Sequence, residues 1–171
     1  DVFSVADTVS KADGGTFDGN VTMAGNLSVD GGTIKLDGNF PTGTSNVAMG
    51  NTALDSATSD ASNNVAIGNT AGTALTSGSD SVAVGAGALA TASTASYNTA
   101  VGMNSLGSAT GASNTAVGRR SLRNTAAGAN NTAVGADAGL SITSGNNNTL
   151  IGDLAGDALT DADHNVAVGS E

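Results

Sequence analysis

Residues 114–118 read Asn-Thr-Ala-Val-Gly, and the same frame returns along the chain from residue 45 onward. It appears as SNVAMG, NNVAIG, DSVAVG, YNTAVG, SNTAVG, NNTAVG, NNTLIG and HNVAVG. The closing glycines are Gly50, Gly68, Gly85, Gly102, Gly118, Gly135, Gly152 and Gly169, spaced 18, 17, 17, 16, 17, 17 and 17. Self-similarity at such a period is the signature of stacked repeat architectures, in which each unit buries its apolar groups against its neighbours.

The position before each Gly is bulky and apolar: Met49, Ile67, Val84, Val101, Val117, Val134, Ile151 and Val168. The position three before Gly is always Val or Thr. Between the two lies Ala, or Leu150 in one unit. Side chains alternate across a strand, so the two larger positions share one face and Ala takes the other. β-Branched residues suit a pleated surface, and Gly permits a corner at the strand end. Each unit is therefore expected to hold one short strand. The larger face, with Val84, Val101, Val117, Val134 and Ile151, is expected to be buried as a structural ladder.

Three residues after Gly there is Ala or Ser. The next residue is Leu (Leu54, Leu89, Leu106, Leu122) or Gly (Gly72, Gly139, Gly156). The remainder of each unit is rich in Ser, Thr, Asn, Asp and Gly and holds all the length variation, which marks an outward turn. Four before Gly stands Asn46, Asn64, Asn98, Asn114, Asn131, Asn148 or Asn165, with Ser81 the exception. Stacked Asn side chains can hydrogen-bond along a ladder and to turn backbone. A structural role is expected for them.

A 17-residue unit fits one coil of a β-solenoid, and eight coils would rise roughly 38 Å. Two or three aliphatic side chains per coil return much less free energy than ordering the backbone costs. Packing several columns side by side would bury the Ala face. An oligomer is expected on that ground, with no number attached.

The composition fits a slender stack. The 171-residue chain carries a net charge of -10, and Leu, Ile, Val and Phe make up about 19% of it. That profile alone borders on disorder. Aromatic residues are 2%, and Cys is absent, which removes disulfides and thiolate metal sites. The acidity argues against nucleic-acid partners, which require clustered Lys and Arg. No apolar run approaches the ~20 residues of a membrane span, so no membrane insertion is expected.

The NTAVG units resemble the head repeats of YadA-like trimeric autotransporter adhesins. They are still more similar to NTAVG-type repeats of phage tail fibres, cyanophage fibres included. The match covers residues 45–169. The resemblance implies a left-handed parallel β-roll, three chains side by side, and a place in a virion fibre that contacts a host-surface glycan or protein and other fibre proteins. The units run slightly longer than in adhesin heads, and no neck motif, stalk or membrane barrel follows. The phage fibre is favoured on those grounds, with the bacterial adhesin head as the alternative. The chain stops inside a unit, so a longer parent protein is expected.

Upstream, Gly19, Gly25, Gly31 and Gly38 punctuate a shorter period over residues 13–44, with Val21, Leu27 and Phe40 in equivalent places. This resembles GNVTVTGNLTV-type segments of phage fibres, which implies three chains interlaced in a β-prism or triple β-helix; two ordinary hairpins are the other reading. Residues 1–12 are expected to be a connector or attachment segment, and residues 45–171 the repeat domain.

No phosphate-binding loop is present, and GAGALA at 85–90 lacks the last Gly of a dinucleotide fingerprint. The one His, His164, occupies a variable turn position. No catalytic residue, metal or cofactor is expected, and the chain reads as non-enzymatic. A glycan-degrading tailspike would need paired carboxylates in a groove. Asp153, Asp157, Asp161 and Asp163 gather near the end of the chain and are weak candidates for Ca²⁺, with a solvated acidic rim the preferred reading. Arg119, Arg120 and Arg123 share one unit; pairing with Asp on neighbouring coils or neighbouring chains is preferred over contact with an anionic glycan.

Overall fold

The computed structural model describes residues 43–170. The expected connector at 1–12 and nearly all of the Gly-punctuated segment at 13–44 lie outside the described residues.

Eight three-residue strands follow in order: β1 (Val47–Met49), β2 (Val65–Ile67), β3 (Val82–Val84), β4 (Thr99–Val101), β5 (Thr115–Val117), β6 (Thr132–Val134), β7 (Thr149–Ile151) and β8 (Val166–Val168). They form one all-parallel sheet in sequence order. Val82 pairs with Thr99, Ala83 with Ala100 and Val84 with Val101, and every other step keeps the same register. The fold is an all-β solenoid with a coil of about 17 residues, and no helix occurs among the described residues.

The corners explain why Gly closes each strand. Gly118 has φ +133°, and a Cβ there would lie 2.2 Å from the Gly135 carbonyl oxygen one coil on. Only Gly fits that approach. Other corners place non-Gly residues in the left-handed region, among them Leu54, Leu89, Leu106 and Leu122 at φ 46–52°. That conformation costs about 1–2 kcal/mol per residue. All four Leu side chains are fully buried, and burial of a Leu returns about 1.5–3 kcal/mol, which offsets the strain.

The two faces of the sheet are the reverse of the sequence expectation. Ala66, Ala83, Ala100, Ala116, Ala133 and Leu150 point into the coil and are buried. The bulky positions point out: Met49, Ile67, Val134 and Ile151 are exposed, and Val84, Val101 and Val117 are half-buried. The physical reason is the width of the coil. The wall opposite the sheet already sends a Leu or Ile inward, and only Ala on the strand leaves room for it.

That opposing side chain changes position. Where the fourth residue after Gly is Leu, the seventh is Ala57, Ala92, Ala109 or Thr125. Where the fourth is Gly72 or Gly139, the seventh is Leu75 or Ile142, both buried. A Cβ added at Gly72 would lie 3.0 Å from Leu54 Cδ2 and 3.3 Å from Leu75 Cδ1. The two sites therefore serve one volume, filled once per coil. Leu150, in the Ala column, fits because Gly139 and Gly156 flank it; a Cβ at either would lie 2.7 Å from a Leu150 methyl group.

Gly72→Leu alone is expected to overpack coil two and cost about 1–3 kcal/mol. Leu75→Ala alone should cost about 2–5 kcal/mol. The double variant should recover most of both losses. Denaturant melts read this directly, and additive losses in the double variant would show that the two sites do not share a volume. Thr125 occupies the same seventh position, and its Oγ1 is the buried side-chain polar atom left without a partner among the described residues. Thr125→Val should raise stability by about 1 kcal/mol; a lower melting temperature would contradict this.

Candidate interaction surface

The outward face of the sheet is the surface that the fold leaves to be explained. One of its columns runs Met49, Ile67, Val84, Val101, Val117, Val134, Ile151 and Val168. A second column, two residues earlier on each strand, is Val at both ends and Thr at Thr99, Thr115, Thr132 and Thr149. Eight rungs at about 4.8 Å and two columns about 7 Å apart make a stripe of a few hundred Å². The first column is apolar in every rung, and that continuous apolar column is the candidate interaction surface. Met49 is 52% exposed and Ile151 42%.

A buried Asn column stands one residue before each strand. Asn98 Oδ1 accepts from the Asn114 backbone N–H at 2.9 Å, and Asn98 Nδ2 donates to the Gly111 carbonyl at 3.0 Å. Asn114 does the same with Asn131 and Gly128. Asn131 repeats it with Asn148 and Gly145, and Asn148 with Asn165 and Ala162. At the other end Asn46 Oδ1 accepts from the Asn64 N–H, and Asn64 Oδ1 from the Ser81 N–H. Ser81 keeps the ladder with its hydroxyl, which accepts from the Asn98 N–H at 3.2 Å. Asn46, Asn64, Asn98, Asn114, Asn131 and Asn148 are all buried. Each one satisfies backbone groups at the corner that have no strand partner.

The three Arg residues divide. Arg119 Nη2 donates to Asp137 Oδ2 at 2.6 Å. Arg120 Nε donates to Oδ1 at 2.6 Å and Nη2 to Oδ2 at 2.9 Å, a bidentate pair. Asp137 lies one coil on and its side chain is only 6% exposed. Arg123 is exposed on the surface. The hydrogen bond from Arg120 holds the Asp137 carboxyl below its ordinary range, helped by the charge of both Arg residues.

The four candidate Asp residues do not converge, and among the described residues no group of three His, Cys, Asp or Glu could hold a metal ion. Asp163 Oδ1 instead accepts from the Asn146 backbone N–H at 2.6 Å and from its side chain at 3.2 Å. These bonds lower its pKa, the backbone bond most. Asp161 accepts from the Thr160 hydroxyl. A cavity of about 300 Å³ lies at the last described coil, between Leu154, Leu159, Ala167 and Val168. Its lining carries one carboxylate, Asp157, and no paired acid–base group. Among the described residues no helix is long and apolar enough to cross a membrane.

Sequence reading missed Asp137, because the charges were grouped by nearness along the chain. A search at one coil's separation, Arg120 to Asp137, finds it. No family model, curated protein or solved structure matches the chain.

The ion pair has a pH signature. A carboxyl whose folded pKa is depressed contributes stability that is complete above its unfolded value, about 3.9, and is lost as pH falls through the lower folded value. Thermal stability should therefore drop on acidification below about pH 4. Asp137→Asn keeps a residue tolerant of the left-handed backbone at φ 57°. It should cost on the order of 1–2 kcal/mol at neutral pH and flatten the acid limb of a melting-temperature profile. An acid limb identical in the variant would remove Asp137 as its cause.

Proposed function

We propose that the chain is a structural, non-enzymatic segment of a phage tail fibre. In this reading three copies of the solenoid stand side by side in the virion with their outward stripes packed together. The resulting column spaces the fibre and presents repeated polar turns to a glycan or protein of the host surface, and to neighbouring fibre proteins at its ends.

The observation that carries the reading is the unbroken apolar column, Met49 to Val168, on the outside of the sheet. A single solenoid leaves every residue of it exposed or half-exposed to water. A surface that repeats at the strand spacing is best covered by another surface with the same repeat, and a second copy of the chain supplies one. The stripe takes the place that the sequence reading gave to the Ala face. The number three and the fibre setting come from the resemblance of the NTAVG units. Multivalent presentation suits polar turns that hold no enclosed site, because linked copies raise avidity without any tight single contact.

Light scattering tests the assembly. The expected mass is three times the chain mass of 16.2 kDa. Val134, 38% exposed in one column, would be covered in the trimer. Val134→Asp should then weaken assembly by several kcal/mol, since it places an unpaired carboxylate in a dry interface. A folded wild-type monomer, or a Val134→Asp variant with unchanged mass and melting temperature, would overturn the proposal. For the non-enzymatic part, incubation with envelope polysaccharides should release no oligosaccharide.

A further inference from the structure

A stripe that repeats at every rung holds two copies side by side but leaves their axial offset open. Sliding one copy by a rung of about 4.8 Å restores nearly the same contacts. Something outside the repeat has to select the offset.

Two columns frame the stripe. One is the residue two before each strand, held at a left-handed φ and exposed in every coil. The other is the residue after each corner Gly. The first column is polar in every coil except at Tyr97, which is 65% exposed. The second carries one large apolar residue, Met103, which is 47% exposed. Both belong to the same rung and stand at opposite ends of β4.

A closed ring of three copies makes head-to-tail interfaces: each copy offers one edge to one neighbour and the opposite edge to the other. We propose, resting on the trimeric reading above, that Tyr97 of each copy seats against Met103 of the next and that this contact fixes the axial register. With no offset, the fourth rung meets the fourth rung, and the two largest exposed apolar groups at the edges cover each other. A thioether beside an aromatic ring is a favourable contact. A slip of one rung in one direction sets Met103 against the Asp80 carboxylate and Tyr97 against Arg119, whose guanidinium is already held by Asp137. A slip in the other direction sets Met103 against Ser113 and Tyr97 against Ala86. Neither pairs the two apolar groups.

The chain has no Cys, so introduced thiols report without background. The test is Tyr97→Cys with Met103→Cys, oxidised and run on a non-reducing gel. Within one chain the two positions are separated by the length of β4, about 10 Å or more, which is beyond disulfide reach. Most chains are expected to migrate as a covalently closed trimer that reductant dissolves. Each single variant should stay unlinked, and the slipped pairs Tyr97→Cys/Ala86→Cys and Tyr97→Cys/Arg119→Cys should link poorly. Thermal melts check that every variant is folded. A trimer by light scattering with no link in the first pair, or with the link in a slipped pair, overturns the register proposal and leaves the trimer standing. Covalent dimers from a single variant overturn it as well, since they require a two-fold arrangement. A monomeric wild type overturns both.

Discussion

Stacking at the strand spacing is the constraint on which the rest of the molecule depends. Each residue sits about 4.8 Å from its equivalent in the next coil, so a side chain is acceptable only if a column of copies is acceptable. Asn satisfies this in a buried column because its amide both donates and accepts, and one rung's oxygen receives the next rung's N–H. A carboxylate could not, since it accepts only and would stack like charges. The one buried Asp among the described residues shows the rule by its neighbours. Asp137 lies one rung beyond Arg119 and Arg120, so two opposite charges take the place of a like one.

The same constraint divides the aliphatic side chains. A coil this narrow has room for one Leu or Ile inside, and Ala must line the facing strand. The second apolar residue of each strand is then forced outward. The apolar stripe is thus a geometric consequence of a slender core, and the slender core follows from a chain rich in Ala and Gly and poor in aromatic residues. Leu150 is the exception that measures the tolerance: one Leu enters the Ala column where Gly139 and Gly156 both withdraw their side chains.

Much of this was legible in the sequence. The period, the eight strands and the parallel stack follow from the spacing of Gly50 to Gly169, and the length variation lies in the turns, as between Ala57 and Asn64 against Ala109 and Asn114. What alternation could not decide was which face of β6 looks inward. A period of two sorts Ala133 from Val134 without saying which is inside. The usual preference for burying the larger group then pointed the wrong way, because it ignores the volume already filled from the opposite wall. The exchange between Gly72 and Leu75 was also legible, but only by comparing two positions at once. Each column taken alone looks merely variable.

Repetition gives this molecule its stripe, and it also creates a degeneracy. Surfaces that match at one offset match almost as well at the next, so a perfectly periodic solenoid would specify that copies associate without specifying where. Information about position can reside only in departures from the repeat. Among those departures are the Arg119–Arg120–Asp137 cluster, the Leu150 substitution, and the pair Tyr97 and Met103 at the two edges of one rung. The first is largely satisfied within one column and the second is internal. The third lies on the surface beside the stripe, in the only rung where both framing residues are large and apolar. A device that selects register must be both aperiodic and exposed at the boundary between copies, and that rung meets both conditions.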